Sequence, residues 1–121
     1  MATARDIDDL LPLSPAAFHI LVALADGEKH GYAILKDVRR RADVKLSPGT
    51  LYAVINRLLE DDLIEESDQR PDAALDDERR HYYRLTSFGR DVAIAEARRM
   101  ESALALARAS KLVPRAARRL S

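Results

Sequence analysis

The stretch SPGTLYAVINRLLEDDLIEES, from Ser47 to Ser67, begins like a helix and ends like a strand. Ser47 can cap the helix and Pro48 fits its first turn, because an N-cap hydroxyl accepts a free backbone N–H and proline has none to leave unpaired. Apolar residues recur with helical spacing and predict one buried face: Leu51, Val54, Ile55, Leu58 and Leu59. No group on the opposite face is suited to acid, base or nucleophilic chemistry.

The outward face of this helix has a composition that suits DNA recognition. At about 100° per residue, the positions opposite the apolar stripe are Gly49, Thr50, Tyr52, Ala53, Asn56 and Arg57. Small residues let a backbone approach a groove closely, Asn and Arg can pair with adenine and guanine, and hydroxyl groups can bind phosphate. The simpler alternative is a solvated polar face that has no partner.

Two helices are predicted before this one. The first follows the cap Ser14 and Pro15, and it runs from Ala16 to Ala25 with apolar residues nearly all round. The second runs from about Gly31 to Arg41, with its apolar residues at helical spacing. An apolar first helix of this kind is expected to lie at the centre of the core.

A hairpin and a long helix are predicted after the helix that Ser47 caps. Leu63-Ile64 and the segment from His81 to Leu85 have the composition of short strands, and a long polar loop separates them. Thr86 or Ser87 can cap the last helix, which is expected from Phe88 to about Leu112. Small and apolar residues recur along it with the 4-3-4-3 spacing of a helix–helix seam, which predicts a homodimer: Ala93, Ala97, Met100, Leu104 and Ala107.

The order of three helices and a hairpin is that of a winged helix-turn-helix, whose third helix reads DNA. The fold class is therefore predicted to be mostly α with a small β-hairpin. We expect residues 1–86 to form the DNA-binding domain and residues 87–121 to form a C-terminal dimerisation helix and tail.

Charge is balanced overall, with 20 cations and 20 anions, but it is unevenly distributed. Seven cations and two anions between Lys29 and Arg57 give +5, whereas one cation and ten anions between Glu60 and Glu78 give −9. This asymmetry predicts a positive face and a separate acidic segment.

Several other classes of protein are disfavoured. The chain has no cysteine, no nucleophile, base and orienting group occur together, and His19, His30 and His81 lack metal-ligand spacing, so neither an enzyme nor a metal or cofactor is predicted. The apolar segment from Leu10 to Ala25 is shorter than the roughly 20 residues of a membrane span, so no membrane partner is expected. MATARDIDDL has no basic n-region of a signal peptide, and the expected location is the cytoplasm.

Three stretches resemble, in order, the signatures of the PadR family of bacterial transcriptional regulators: HGYAI from His30, SPGTLYAVINRLLEDDLI from Ser47, and RRHYYRLTSFGR from Arg79. The resemblance implies a winged-helix DNA-binding domain, a homodimer made by the last helix with help from the first, and usually repression of a nearby gene that a small molecule relieves. Two positions depart from the family pattern: Ala53 stands where many relatives have proline, and Asp62 where a glycine commonly turns the chain.

The resemblance also implies site residues. By position, Gly49, Thr50, Tyr52 and Arg57 fall in the reading helix, Tyr32 in the second helix, and Arg79, Arg80 and Tyr83 at the return strand of the wing. We expect Ser47, Ala53 and Asn56 to belong to the same surface. Three side chains are expected to bind phosphate: Lys36, Tyr52 and Arg80. Replacing any of them should weaken binding to all DNA sequences alike.

These observations predict a sequence-specific DNA-binding transcriptional regulator, a repressor that a small-molecule effector releases from a pseudo-palindromic double-stranded operator. The alternative is a winged helix that serves as a protein–protein interaction module through its acidic wing. A small hydrophobic effector is expected between the first and last helices. Its candidate lining residues, which ordinary core packing explains equally well, are Leu13, Phe18, Met100 and Leu104.

Overall fold

A computed structural model describes residues 6–67 and 81–114. Its elements are a short 3-10 helix (Ile7–Leu10), α1 (Pro15–Leu24), β1 (Lys29–His30), α2 (Gly31–Arg41), α3 (Pro48–Glu60), β2 (Ile64–Ser67), β3 (Tyr82–Leu85) and α4 (Ser87–Ala109). A mostly helical chain with a small antiparallel sheet and a long last helix confirms the predicted fold class.

Each α-helix begins where a side chain accepts a free backbone N–H. The four N-cap residues are Ser14, His30, Ser47 and Thr86. At the start of α2, Nδ1 of His30 accepts the N–H of Ala33 at 3.2 Å, so this ring nitrogen carries no proton. The predicted caps Ser14, Ser47 and Thr86 are confirmed.

The core lies where α1, α2 and α3 pack together and against the sheet and α4. Its fully buried apolar side chains are Ile20, Leu21, Ile34, Leu51, Ile55, Leu63, Ile64 and Val92. Along α3, Leu58 is buried as well, while Val54 and Leu59 are half-buried. The apolar stripe predicted for this helix is therefore confirmed, and its opposite face points away from the core.

The wing has one more strand than the predicted hairpin. The sheet order is β1-β3-β2, with Lys29 opposite Tyr83 and Ile64 opposite Leu85. Two residues are too few to show the alternation of a strand, and β1 forms only because the distant β3 pairs with it. The first wing strand runs over Ile64–Ser67 rather than Leu63-Ile64.

The last helix is shorter than predicted. It ends at Ala109 rather than near Leu112, and Lys111 then adopts a left-handed φ of 63°. A left-handed residue just beyond a helix is a common way to end it, although glycine usually fills that position.

The turn from α3 into the wing is closed by backbone contacts at Leu63. Its carbonyl accepts the N–H of Thr86 at 3.1 Å, and the Thr86 hydroxyl lies 3.2 Å away. Gly89 lies against the same carbonyl, and a Cβ there would come within 2.7 Å of the carbonyl carbon. Asp62 has a φ of 62°, a left-handed conformation that glycine adopts more easily. These contacts fix the start of α4 against the end of α3.

The ring of Tyr52, on α3, lies over Gly31 at the start of α2. A Cβ added to Gly31 would be 2.8 Å from Cζ of Tyr52, so only glycine leaves room for the ring in its present position. The pKa of Tyr83, which is buried on β3, is raised by burial first, then by the charge of Glu66 and then by Tyr52. Gly31 thus lets α3 pack closely on α2 beside the sheet.

A buried carboxylate joins α4 to the rest of the domain. Glu96 is only 2% exposed, and Arg99 donates to its two oxygens at 2.7 and 2.9 Å. The pKa of Glu96 is lowered by the Arg99 hydrogen bonds first, and also by the charge of Arg99 and a hydrogen bond from the backbone of Leu13, while burial acts in the opposite direction. The first half of α4 therefore packs with the winged-helix core. The boundary between residues 86 and 87 stays a prediction.

Alanine substitutions at three glycines should rank by what the new methyl group meets. Gly89→Ala should lower the free energy of unfolding by about 1 to 3 kcal/mol, since the backbone of Leu63 cannot turn aside. Gly31→Ala should have a smaller effect, because the half-exposed Tyr52 side chain can swing outward. Gly49→Ala meets nothing within 4 Å and is the control, with a change below about 1 kcal/mol. Urea denaturation at one protein concentration measures all three, and equal losses for Gly89 and Gly49 would contradict the packing described.

The Glu96–Arg99 pair should make stability depend on pH. The folded pKa of Glu96 lies below its ordinary value of 4.5, so the stabilisation is complete above that pH and is lost as pH falls through the folded pKa. Glu96→Gln should lower the free energy of unfolding by about 1.5 to 3 kcal/mol at neutral pH. The difference in the free energy of unfolding between Glu96→Gln and the unmodified protein should become smaller below the folded pKa of Glu96. The control Glu101→Gln, at an exposed position, should have little effect at any pH. A difference of constant size across this range would argue against the ion pair.

Candidate nucleic-acid interface

The outer face of α3 is exposed along its whole length. Every residue predicted there is solvent-exposed: Gly49, Thr50, Tyr52, Ala53, Asn56 and Arg57. The side chain of Arg57 is 74% exposed and lies 3.8 Å from Asp61, measured from Nε to Oδ2. The structure thus brings two groups that can pair with bases onto the same face as two small residues that permit close approach.

The start of α2 extends this surface. Tyr32 is 60% exposed, and Nζ of Lys36 lies 5.5 Å from the centroid of its ring. Tyr52 packs over Gly31, the neighbour of Tyr32 in the chain. The tyrosines of the two helices therefore border one continuous surface, with the ammonium group of Lys36 at its edge.

The turn between α2 and α3 forms a cavity of about 570 Å³ at the N-terminus of α3. Ser47 and Thr50 line it, and their hydroxyl groups are hydrogen-bonded at 3.1 Å. Arg39 shapes the turn by donating to the carbonyl of Leu46 from Nε at 3.1 Å and from Nη2 at 2.9 Å. Arg39 and the exposed Lys45 outnumber the one carboxylate of the described lining, Asp43, so the cavity, together with the partial positive charge of the helix N-terminus, favours an anion.

Lys45 and Arg39 were absent from the predicted site. A cation two residues before an N-cap serine is a local signal that could have identified Lys45. The role of Arg39 could not be found in this way, because its partner Leu46 becomes close only after the turn has folded.

Several cations of the basic segment are used inside the domain. Lys29 donates to Asp26 at 2.7 Å, and this hydrogen bond is the main reason that the pKa of Asp26 is lowered. Arg40 and Arg41 contact the buried carboxylate of Asp37 at 2.7 and 3.2 Å. The +5 charge of the segment already subtracts Asp37 but not Asp26, so it is the Lys29–Asp26 pair that lowers the positive charge left to face a partner.

One cation of the wing, Arg84, lies within the described residues. Arg79, Arg80 and the acidic loop lie outside the described residues, so their DNA contacts stay predictions. On β3, Arg84 donates to Glu65 at 2.8 Å, and this hydrogen bond and the negative charge of Glu65 raise the pKa of Arg84. Its guanidinium group is thus paired within the sheet.

Two further properties follow from residues 6–67 and 81–114. Within those ranges, no three His, Asp or Glu side chains are grouped so that they could hold a metal ion. No described helix combines the length and the apolar character required to cross a membrane.

The predicted seam of α4 is largely exposed beyond the core. Ala93 is half-buried and packs against the core, whereas Ala97 is exposed, Met100 is 37% exposed and Leu104 is 39% exposed. Ala107 is half-buried. Dimerisation through these residues stays a prediction.

The predicted effector site is only partly assembled. Leu13 and Phe18 are half-buried, and the backbone of Leu13 bonds to Glu96, one turn before Met100 on α4. Leu13 also lines a cavity against α3. A ligand between α1 and α4 stays a prediction.

Comparison with known proteins places this geometry in a family. The sequence model of the transcriptional regulator PadR-like family matches residues 20–95. Transcriptional regulator Rv3488 of Mycobacterium tuberculosis is 40% identical over 87 residues, which are 72% of this chain and 76% of the relative. A PadR family transcription regulator from Clostridium difficile R20291 is similar with a TM-score of 0.68 and 25% identity over 78% of this chain and 96% of that one. RosR of H. salinarum is similar with a TM-score of 0.60 and 28% identity over 92% and 87% of the two chains. The chain belongs to the PadR-like family of transcriptional regulators.

Proposed function

We propose that the chain is a sequence-specific DNA-binding regulator that binds a pseudo-palindromic double-stranded operator as a homodimer. The observation that carries the proposal is the outer face of α3, where small residues alternate with side chains that can contact bases and phosphate. Membership of a family of transcriptional regulators supports the same conclusion.

The proposed contacts divide by chemistry. Asn56 and Arg57 read base edges, and Gly49 and Ala53 let α3 approach the floor of the major groove. Phosphate is bound by hydroxyl groups and cations at the two ends of the surface: Tyr32, Lys36, Ser47, Thr50 and Tyr52, with Arg79 and Arg80 from the wing. Arg57 can leave Asp61 for a base at little loss, because an exposed pair of this length contributes little free energy.

The second copy is proposed to pack on the outer half of α4. The exposed Met100 and Leu104 would otherwise leave an apolar stripe in water, and the small Ala97 allows two helices to come close. Ala107 continues the seam, and Ala93 is its end nearest the core.

The regulator is further proposed to be a repressor that an effector releases. A small hydrophobic molecule bound between α1 and α4, near Leu13, Phe18, Met100 and Leu104, would lie beside the dimer seam. It must bind the DNA-free conformation better than the bound one, by the same factor by which it weakens the operator complex.

A protein-interaction module is the second candidate. The observation that favours it is the exposure of Glu65 and Glu66 on β2, which extends the acidic character of the wing loop onto the sheet. Such a module would show no strong affinity for DNA and no loss of DNA affinity as salt is added.

Arg57→Ala and Asn56→Ala should each weaken operator binding by about 1 to 3 kcal/mol and relax the preference at one base pair. The test is a gel-shift and anisotropy titration against DNA from upstream of the protein's own gene, with every base pair varied. Arg98→Ala removes one exposed cation from α4 and is the charge-matched control, with an expected loss below about 0.5 kcal/mol. If Arg57→Ala and Arg98→Ala had the same effect, or if the operator affinity did not change with salt concentration, the proposal that α3 reads DNA would be refuted.

Leu104→Glu should dissociate the dimer, raising its dissociation constant at least about tenfold, because the seam would then bury an unpaired charge. Leu106→Glu introduces the same charge on another side of α4, where Leu106 is 71% exposed, and it should leave the dimer intact. Analytical ultracentrifugation at micromolar concentration compares the two. A monomeric unmodified chain, or equal effects of both substitutions, would show that this seam is not the interface.

A further inference from the structure

A separate cavity of about 470 Å³ lies beside the reading helix, between the N-terminal segment, the start of α1 and the second half of α3. Its volume falls within the range of small-molecule sites. Its apolar wall is contributed by Leu10, Leu13, Ala17, Val54, Leu58 and Leu63. The cavity therefore offers an apolar body a place that is partly shielded from water.

The charged groups of this cavity are mostly negative. Asp9 and Asp61 line it, and Arg57 is its one cation among the described lining residues. Asp61 is also the C-cap of α3, where the helix dipole adds partial negative charge. The N-terminus of α1, capped by Ser14, also borders the cavity, and its partial positive charge offsets that of the α3 C-terminus, so the two carboxylates against one guanidinium decide the sign. The electrostatic field in the cavity thus favours a cation.

We propose that this cavity binds a small organic cation with an apolar body. The apolar part would pack on Leu13, Val54 and Leu58, and the charged group would lie between Asp9 and Asp61. Arg57 does not close the site, because its side chain is 74% exposed and its Nε is 3.8 Å from the Asp61 carboxylate. The bound cation takes the place of Arg57 beside the Asp61 carboxylate.

Occupation of the site affects DNA binding through Arg57, and this step rests on the proposed function. A cation at Asp61 frees the guanidinium group of Arg57 for a base, so ligand and operator should strengthen each other's binding by the same factor. This factor should be at most about fivefold, because the exposed Arg57–Asp61 pair contributes little free energy. Arg57 is the residue that the cavity and the outer face of α3 share.

Isothermal titration calorimetry of the full-length protein without DNA tests the site. Tetraphenylphosphonium is the probe, and tetraphenylborate, with the same shape and the opposite charge, is the control ligand. We expect one tetraphenylphosphonium to bind per chain and the borate to bind at least several-fold more weakly. Equal binding of the two ions, or no binding of the phosphonium, would overturn the proposal.

Two substitutions locate the bound cation. Asp9→Asn and Asp61→Asn should each weaken tetraphenylphosphonium binding about two- to fivefold, the range for an exposed ion pair, and the double variant should weaken it further. Glu101→Gln on α4 removes a carboxylate away from the cavity and should change nothing. Asp9 lies on the exposed 3-10 helix, so its substitution tests the site even if Asp61→Asn disturbs the end of α3. A double variant that binds like the unmodified protein would overturn the assignment.

Operator affinity with and without tetraphenylphosphonium tests the coupling separately. It should rise with the ligand in the unmodified protein and stay constant in Asp61→Asn. Unchanged affinity in both would overturn the coupling through Arg57, while the calorimetry alone decides whether the site exists. A chain that binds no operator would instead refute the proposed function and leave the calorimetric result in place.

Discussion

The backbone of Leu63 is the point through which α3, the wing and α4 are held together. Its N–H donates to the carbonyl of Leu58 at the end of α3, and its own carbonyl accepts the N–H of Thr86. Gly89 allows the first turn of α4 to lie against that carbonyl. One residue thus joins the end of α3, the first wing strand and α4, and none of the three can shift alone without breaking backbone hydrogen bonds. The arrangement of the proposed DNA-binding surface depends on this junction.

The parts of the fold that could be predicted are those that local patterns determine. Ser14, Ser47 and Thr86 are capping residues that precede their helices, and helical spacing identified the buried stripe of α3. Strand β1 could not be predicted, since its two residues become a strand only beside β3. The close approach of Tyr52 to Gly31 was equally inaccessible, because it joins two helices whose relative position is a property of the whole core.

For the candidate site too, local patterns predicted some features, and others became apparent only in the folded structure. Which residues of α3 face outward follows from the period of the helix, and all of them are exposed. Which cations remain free does not follow from composition, because Arg41 contacts the buried Asp37 and Arg39 holds the carbonyl of Leu46. The cavity beside α3 could not be foreseen either, since it forms only where the N-terminal segment carrying Asp9 meets the end of α3.

The firm attachment of α4 has a geometric consequence for operator choice. About 27 Å of helix separates Leu104, in the proposed seam, from Thr86 at the junction with the wing. Since no flexible linker intervenes, each α4 would act as a rigid lever arm in the proposed dimer. A change of about 10° in the angle between the arm and the seam would move the attached winged helix by about 5 Å, which exceeds the rise of about 3.4 Å per base pair. The crossing angle of two alanine-rich helices, far from any base, would then decide which half-site spacing the dimer can span.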